Sequence, residues 1–172
     1  MAGLVASAFF GGLEPAEKPE VPPAVFGETV DGGPWRVTVT GSRLVDELPG
    51  LRLADGNRWV AVLAVVENTD TESRSDFAEV LRLSGVEGLV AEQPKYVLLL
   101  RDASQPQFLN PGLAEKLAYL WEQKVSEPAP IRVRVDVWGR TYRRDTINDT
   151  MRWLDPEPRA GFEVPVEDRR KQ

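Results

Sequence analysis

The sequence predicts an all-β fold, an antiparallel sandwich of about seven to nine strands, and three observations predict it. First, Trp59 to Val66 is a run of eight consecutive apolar residues rich in Val. A run of that length and composition reads as a central strand covered on both faces. Second, Trp35–Thr40 and Ile131–Trp138 alternate apolar and polar side chains with period two, the signature of half-buried strands. Third, turn chemistry punctuates the chain at Asp31-Gly-Gly-Pro34, Pro49-Gly50, Asp55-Gly56 and Asn110-Pro-Gly112.

Taken in order, the domain is expected to begin near Phe26 and to run to Val166. In the opening strand Trp35, Val37 and Val39 point inward and Arg36, Thr38 and Thr40 outward. Leu44 and Val45 continue it past Gly41, which is placed for a bulge. Leu48–Asn57 is a long connection. The central strand follows and ends in the polar, acidic segment Thr69–Ser75. Val80–Leu83 reads as a short strand, Val86–Gln93 as another, and Lys95–Arg101 as a strand apolar on both faces.

Leu113–Val125 fits two periods. Leu113, Leu117, Leu120 and Trp121 suit a helix, while Leu117, Tyr119 and Trp121 suit a strand. Ala, Glu, Lys and Leu favour helix. The Pro-Gly turn before it and the clear strand after it favour strand, which is the expectation adopted. Ile131, Val133, Val135 and Val137 should then face the core, with Arg132, Arg134, Asp136 and Trp138 outside. Gly139–Pro158 reads as a long excursion. Gly161–Val166 reads as the last strand, with Pro165 demanding an edge position. Residues 167–172 read as a charged, frayed tail. Turn-separated strands in this number suggest an immunoglobulin-like sandwich.

Composition removes several chemistries. The chain has 172 residues, enough for one domain with a core, and 42% hydrophobic content with five Trp to pack. It has neither Cys nor His, which excludes disulfides, thiol nucleophiles, imidazole or thiolate metal sites and Ser-His-Asp catalysis. A net charge of -6 argues against nucleic-acid binding. No cofactor is expected.

Residues 1–13 are apolar, rich in small residues and uncharged. A membrane-spanning helix needs about 20 apolar residues, so the segment is read as the end of a membrane anchor or signal segment. Residues 14–25 alternate Pro with charge and read as a stiff linker. Stub and spacer together predict a domain tethered to the membrane by its N-terminus and held outside the cytoplasm.

Three stretches carry a family resemblance. Val60–Thr69 resembles a strand ending in Glu-Asn-Thr, Phe108-Leu-Asn-Pro-Gly-Leu113 followed by Leu120-Trp-Glu122 resembles a late Pro-Gly turn with its strand, and Trp35–Val39 resembles an opening strand. Together they resemble the telokin-like, immunoglobulin-like domains of uncharacterised bacterial envelope proteins (the DUF4352-type group). The resemblance spans Trp35 to Val166. It implies a sandwich outside the cytoplasm and carries over no catalytic residues.

The candidate ligand or partner surface is Arg132, Arg134, Trp138, Arg140, Tyr142, Arg143 and Arg144. Five Arg and one Asp lie between Arg132 and Arg144 in an otherwise acidic protein. Guanidinium forks grip phosphate or carboxylate, and flat aromatic faces take sugar rings or partner side chains. The plain alternative is a solvated strand face with Trp138 packed beside Trp153. Glu67, Asp70, Glu72, Asp76 and Glu79 offer oxygens for Ca²⁺, but their spacing fits no loop motif and Arg74 sits among them. Asp155 and Glu157 form a conceivable acid/base pair, set between prolines on a rigid turn. The resulting expectation is a non-catalytic module that binds a protein partner or an anionic envelope polymer. An accessory domain of a larger membrane complex and a carboxylate-only glycan hydrolase are the alternatives.

Overall fold

The computed structural model describes residues 20–170. The apolar stub, residues 14–19 of the expected linker and the last two residues lie outside the described residues. Eight strands run in the order β1 (Thr29–Asp31), β2 (Trp35–Val45), β3 (Asn57–Asn68), β4 (Leu81–Ser84), β5 (Tyr96–Leu99), β6 (Ala114–Lys124), β7 (Arg132–Arg144) and β8 (Met151–Asp168). A short 3-10 turn, Asp76–Glu79, precedes β4. Strands β1, β2, β3, β6 and β5 form one sheet, and β4, β7 and β8 the other. All these pairings are antiparallel. The two sheets are joined where the end of β8 turns to run parallel to β2, Val166–Asp168 against Ser42–Leu44. The fold is the all-β sandwich that the sequence predicts.

The core forms because alternate residues of both sheets point at each other. Val37, Val39, Val60, Val62, Ala64, Val66, Leu117, Tyr119 and Trp121 meet Val133, Val135, Val137, Phe162 and Val164, all buried. Tyr119 carries a hydroxyl into this core, and it donates to the Phe77 carbonyl at 2.9 Å. The run in β3 is buried on both faces, as its composition demands. Trp59, Ala61 and Leu63 form a second cluster with Leu98, Ala118 and Leu120 on the outer face. What covers them is the long connection itself: Leu48, Leu51 and Leu53 fold back as a roof beside Val45, the last residue of β2.

Segment 113–125 is a strand, paired with β3 along the whole of Ala114–Lys124. Helix propensity differs by only some tenths of a kcal/mol per residue. Seven consecutive residues of β6, Leu117–Gln123, are buried, and that burial decides the matter. Gly41 sits at the register shift of β2, where a bulge was expected.

Five expectations need correction. Val86–Gln93 is not a strand. Gly85 and Gly88 take φ of 68° and 72°, which breaks extended geometry, and Leu89 makes only an isolated bridge to Gln123. Ile131 precedes β7 and is 83% exposed, not in the core. Asp136 faces outward but is buried, held by the Ser84 hydroxyl at 2.9 Å and Arg134 Nε at 3.1 Å. The 139–158 excursion is a continuation of β7 and β8 into one long hairpin, with register shifts after Val137 and Gly139. At the other end, Glu167 and Asp168 of the expected tail belong to β8.

Within the expected linker, Pro22–Ala24 pair with Gly161. The Gly161 N–H donates to the Pro22 carbonyl at 2.8 Å, and the Ala24 N–H donates to the Gly161 carbonyl at 3.0 Å. A side chain at Gly161 would crowd Val21, Arg134 and Asp136.

Candidate functional site: a braced hairpin arm and an opposite cleft

At one pole of the sandwich the Asp31–Pro34 turn, the 69–79 loop and the β7–β8 hairpin meet. Gly32 accepts from the Arg140 N–H at 2.9 Å, and Thr69 Oγ1 donates to the Gly33 carbonyl at 2.7 Å. Arg74 grips Asp76 with two bonds, Nε to Oδ1 at 2.9 Å and Nη2 to Oδ2 at 2.8 Å, and reaches Asp70 with Nη1 at 2.9 Å. Arg140 bridges Asp76 at 3.2 Å and Glu79. Trp153 Nε1 donates to Asp70 at 2.9 Å. Burial pushes the Asp70 carboxyl up, but hydrogen bonds from Thr71, Arg74 and Trp153 outweigh it and hold the group below its ordinary range. Arg82 stacks on Trp138, 3.6 Å from the ring centroid. The crevice left between Trp35, Arg82, Trp138 and Pro156 is only about 50 Å³, room for a water or two.

Beyond this base the hairpin stands clear of the body as an arm. A two-stranded ribbon alone is marginal in water, and this one is braced. Tyr142 and Trp153 are paired across the strands with ring centroids 5.0 Å apart. Arg143 holds Asp155, Arg144 reaches Asp149 at 2.8 Å and Arg152 reaches Asp145 at 3.0 Å. At the tip, Asp145 accepts from the Ile147 N–H at 2.9 Å and so fixes the turn. The arm nevertheless presents apolar groups to water: Ile147 is 89% exposed, Tyr142 52% and Met151 50%.

The seven predicted surface residues therefore fall into three places. Arg132 is exposed at the start of β7, and Arg134 is taken up by Asp136. Trp138 and Arg140 belong to the base cluster, Trp138 packing under Arg82 and not beside Trp153. Tyr142, Arg143 and Arg144 lie on the arm, where successive side chains point to opposite faces. Four of the five Arg carry a carboxylate partner within the chain. The acidic loop supplies the partners of Arg140 alone among these, Asp76 and Glu79, while Asp70 and Asp76 hold Arg74, Asp70 accepts from Trp153 and Glu67 pairs with Arg36. Asp155 pairs with Arg143 and Glu157 with Arg159. Among the described residues no three acidic side chains converge as they would around a metal ion, and no helix is long and apolar enough to cross a membrane.

The opposite pole holds a feature that the sequence analysis passes over. The roof loop leaves an open cleft of about 920 Å³, with Val45, Leu48, Leu51, Leu53 and Val125 as its apolar lining and Asp46, Glu47 and Asp55 among its polar groups. The available signal was compositional: three Leu, Leu48, Leu51 and Leu53, inside a turn-rich connection. The loop is pinned from below. Lys95 Nζ donates to the Arg52 carbonyl at 3.1 Å and to the buried Glu122, which also accepts from Asn57 at 2.7 Å. Burial pushes the Glu122 carboxyl up, but Lys95 and Asn57 outweigh it and hold it below its ordinary range. Nearby, Arg58 is buried against Gln123 and the Glu127 carbonyl.

These features define a class, an antiparallel β-sandwich with a hairpin arm at one pole and a cleft at the other. No family model and no curated protein match the sequence. Among solved structures the chain is similar to an uncharacterised β-sandwich protein from Clostridium difficile 630, at 11% identity and a TM-score of 0.47, over 87% of this chain and 99% of that one.

Proposed function

We propose that this chain is a non-catalytic binding module, held outside the cytoplasm by its N-terminal segment, and that the hairpin arm presents its surface to a protein partner. The arm carries this proposal. Its ion pairs and its Tyr142–Trp153 contact keep it ordered while Ile147, Met151 and Tyr142 remain in water. Rigid, exposed apolar and aromatic groups lower the entropy cost of association. A protein is favoured over an anionic polymer because four of the five Arg of the basic segment are already neutralised within the chain. A carboxylate-based hydrolase is disfavoured because Asp155 and Glu157 are each ion-paired with an Arg and about half exposed.

The location rests on the sequence: the apolar stub, the Pro-rich spacer and the resemblance to telokin-like envelope domains. Protease shaving of intact cells tests it, and release of a soluble domain cut near the linker is the expected result. Protection until lysis would overturn the location. Photo-crosslinking from position 147 in the same cells tests the arm. A discrete protein adduct is expected, and none at position 147 at any expression level would defeat the binding role.

A further inference from the structure

We infer that the roof, residues 48–53, is a lid that opens over an apolar shelf on the outer face of β3, β6 and β5 while the sandwich stays folded. The shelf consists of Trp59, Ala61, Leu98, Ala118 and Leu120, all buried, with Leu48, Leu51 and Leu53 packed against them. The cover is lightly held. Among the described residues the backbone of 48–53 makes one internal hydrogen bond, from the Leu51 N–H to the Leu48 carbonyl at 3.1 Å. It makes one more to the rest of the chain, where the Arg52 carbonyl accepts from Lys95 Nζ at 3.1 Å. Segments with few buried contacts and solvated backbone open locally, at a fraction of the free energy of global unfolding.

Two further features favour opening. Trp59 is fully buried, and its Nε1–H has no hydrogen-bond partner. A buried donor left unpaired costs free energy, and water supplies the acceptor once the cover lifts. The orphan indole therefore works against the closed form. Room to move is at hand as well: Leu48, Leu51 and Leu53 line the open cleft of about 920 Å³, so the segment can shift without displacing a strand. Closure is favoured by the burial of the three Leu, by the Lys95 bond and by the turn at Pro49-Gly50, where Gly50 takes φ of +79° and the Leu51 N–H closes on Leu48. The Lys95 ammonium lies 5.7 Å from the ring centroids of both Trp59 and Tyr96. The group that latches the lid thus also stands at the rim of the shelf.

Hydrogen exchange of the full chain, followed by NMR, tests the lid. The probe is the Trp59 indole N–H, and the reference is the Val62 backbone N–H, in the strand flanked by β2 and β6. After correction for intrinsic rates, the indole should exchange at least roughly a hundredfold faster than Val62, with little dependence on low urea, because a lid exposes little surface when it opens. Equal rates with equal urea dependence would overturn the lid, since the indole would then be reached only by global unfolding. Gly50→Ala places no Cβ within 4 Å of another group and strains the closed turn through its backbone alone. It should speed the indole roughly tenfold. An unchanged indole rate would overturn the proposal, because water would then pass a stationary roof. Val135→Ala removes buried methyl groups from the other cluster, between the sheets. It should speed Val62 roughly tenfold or more and leave the indole rate as it was, since the core is intact in the open form. A parallel rise at both probes would also overturn it.

Discussion

Gly33→Ala tests whether the arm is braced against the body as described. Gly33 takes φ of +86°, and a Cβ there would lie 2.3 Å from the Arg140 carbonyl oxygen and 2.7 Å from the Trp153 ring. The backbone conformation alone costs a non-glycine residue about 1–2 kcal/mol. Relieving contacts that short requires the turn to back away from the hairpin by about 1 Å, an overpacking cost of typically 1–3 kcal/mol. The expected loss is about 2–5 kcal/mol, a large share of the stability of a domain of this size. Gly41→Ala is the control: nothing lies within 4 Å of its Cβ and its φ is not positive, so it should shift stability by no more than about 0.5 kcal/mol. Urea unfolding followed by tryptophan fluorescence reads both. Equal midpoints for the two variants would refute the contact between the turn and the arm.

Three further outcomes are expected. Arg140→Ala removes a partly buried guanidinium that bridges Asp76 and Glu79 and should cost about 1–2 kcal/mol, whereas Arg143→Ala, on the exposed arm, should change the denaturation midpoint little; the reverse order would mean that the base cluster is not structural. Glu122 and Asp70 have lowered folded-state pKa values, so their contribution is present above the unfolded values of about 4 and is lost as pH falls through the folded ones; Glu122→Gln should flatten the acid limb of stability against pH below about 4.5, and an unchanged slope would argue against the Lys95–Glu122 pin. Val62→Asp places a carboxylate at a fully buried position between the sheets and should cost several kcal/mol, measured by thermal unfolding; a wild-type melting temperature would mean β3 is not central.

Much of this fold is legible in the chain because period two and turn chemistry agree. Strands β2 and β7 show their alternation openly, and β3 shows burial on both faces through an unbroken apolar run. For β6 the propensity of its Ala, Glu and Lys pointed to helix, and only its setting between a Pro-Gly turn and a strand pointed to the observed state. The arm was not legible. Asp155 and Pro156 are looped out opposite Arg140, and Arg159 opposite the Val137–Trp138 step, so the alternation that would betray β8 is broken twice. Nor could the Arg-rich segment declare its partners. Trp153 meets Asp70 across 83 positions and Arg140 meets Glu79 across 61, and no local pattern encodes contacts at such separations. The roof over Trp59 was hidden for a different reason: its three Leu sit in irregular backbone, where no period exists to be read.

The strand β8 also sets how the domain bears load. β2 and the end of β8 run in the same direction, joined over Ser42–Leu44 and Val166–Asp168. A pull that separates the two ends of the described chain draws β2 and β8 past each other lengthwise. The hydrogen bonds of that junction are then strained together and have to fail together. The two bonds that Gly161 makes with Pro22 and Ala24 lie upstream of this junction and yield before it. A module built in this way gives first by paying out a short length of slack at its entrance, and only then resists as a shear lock between its two sheets.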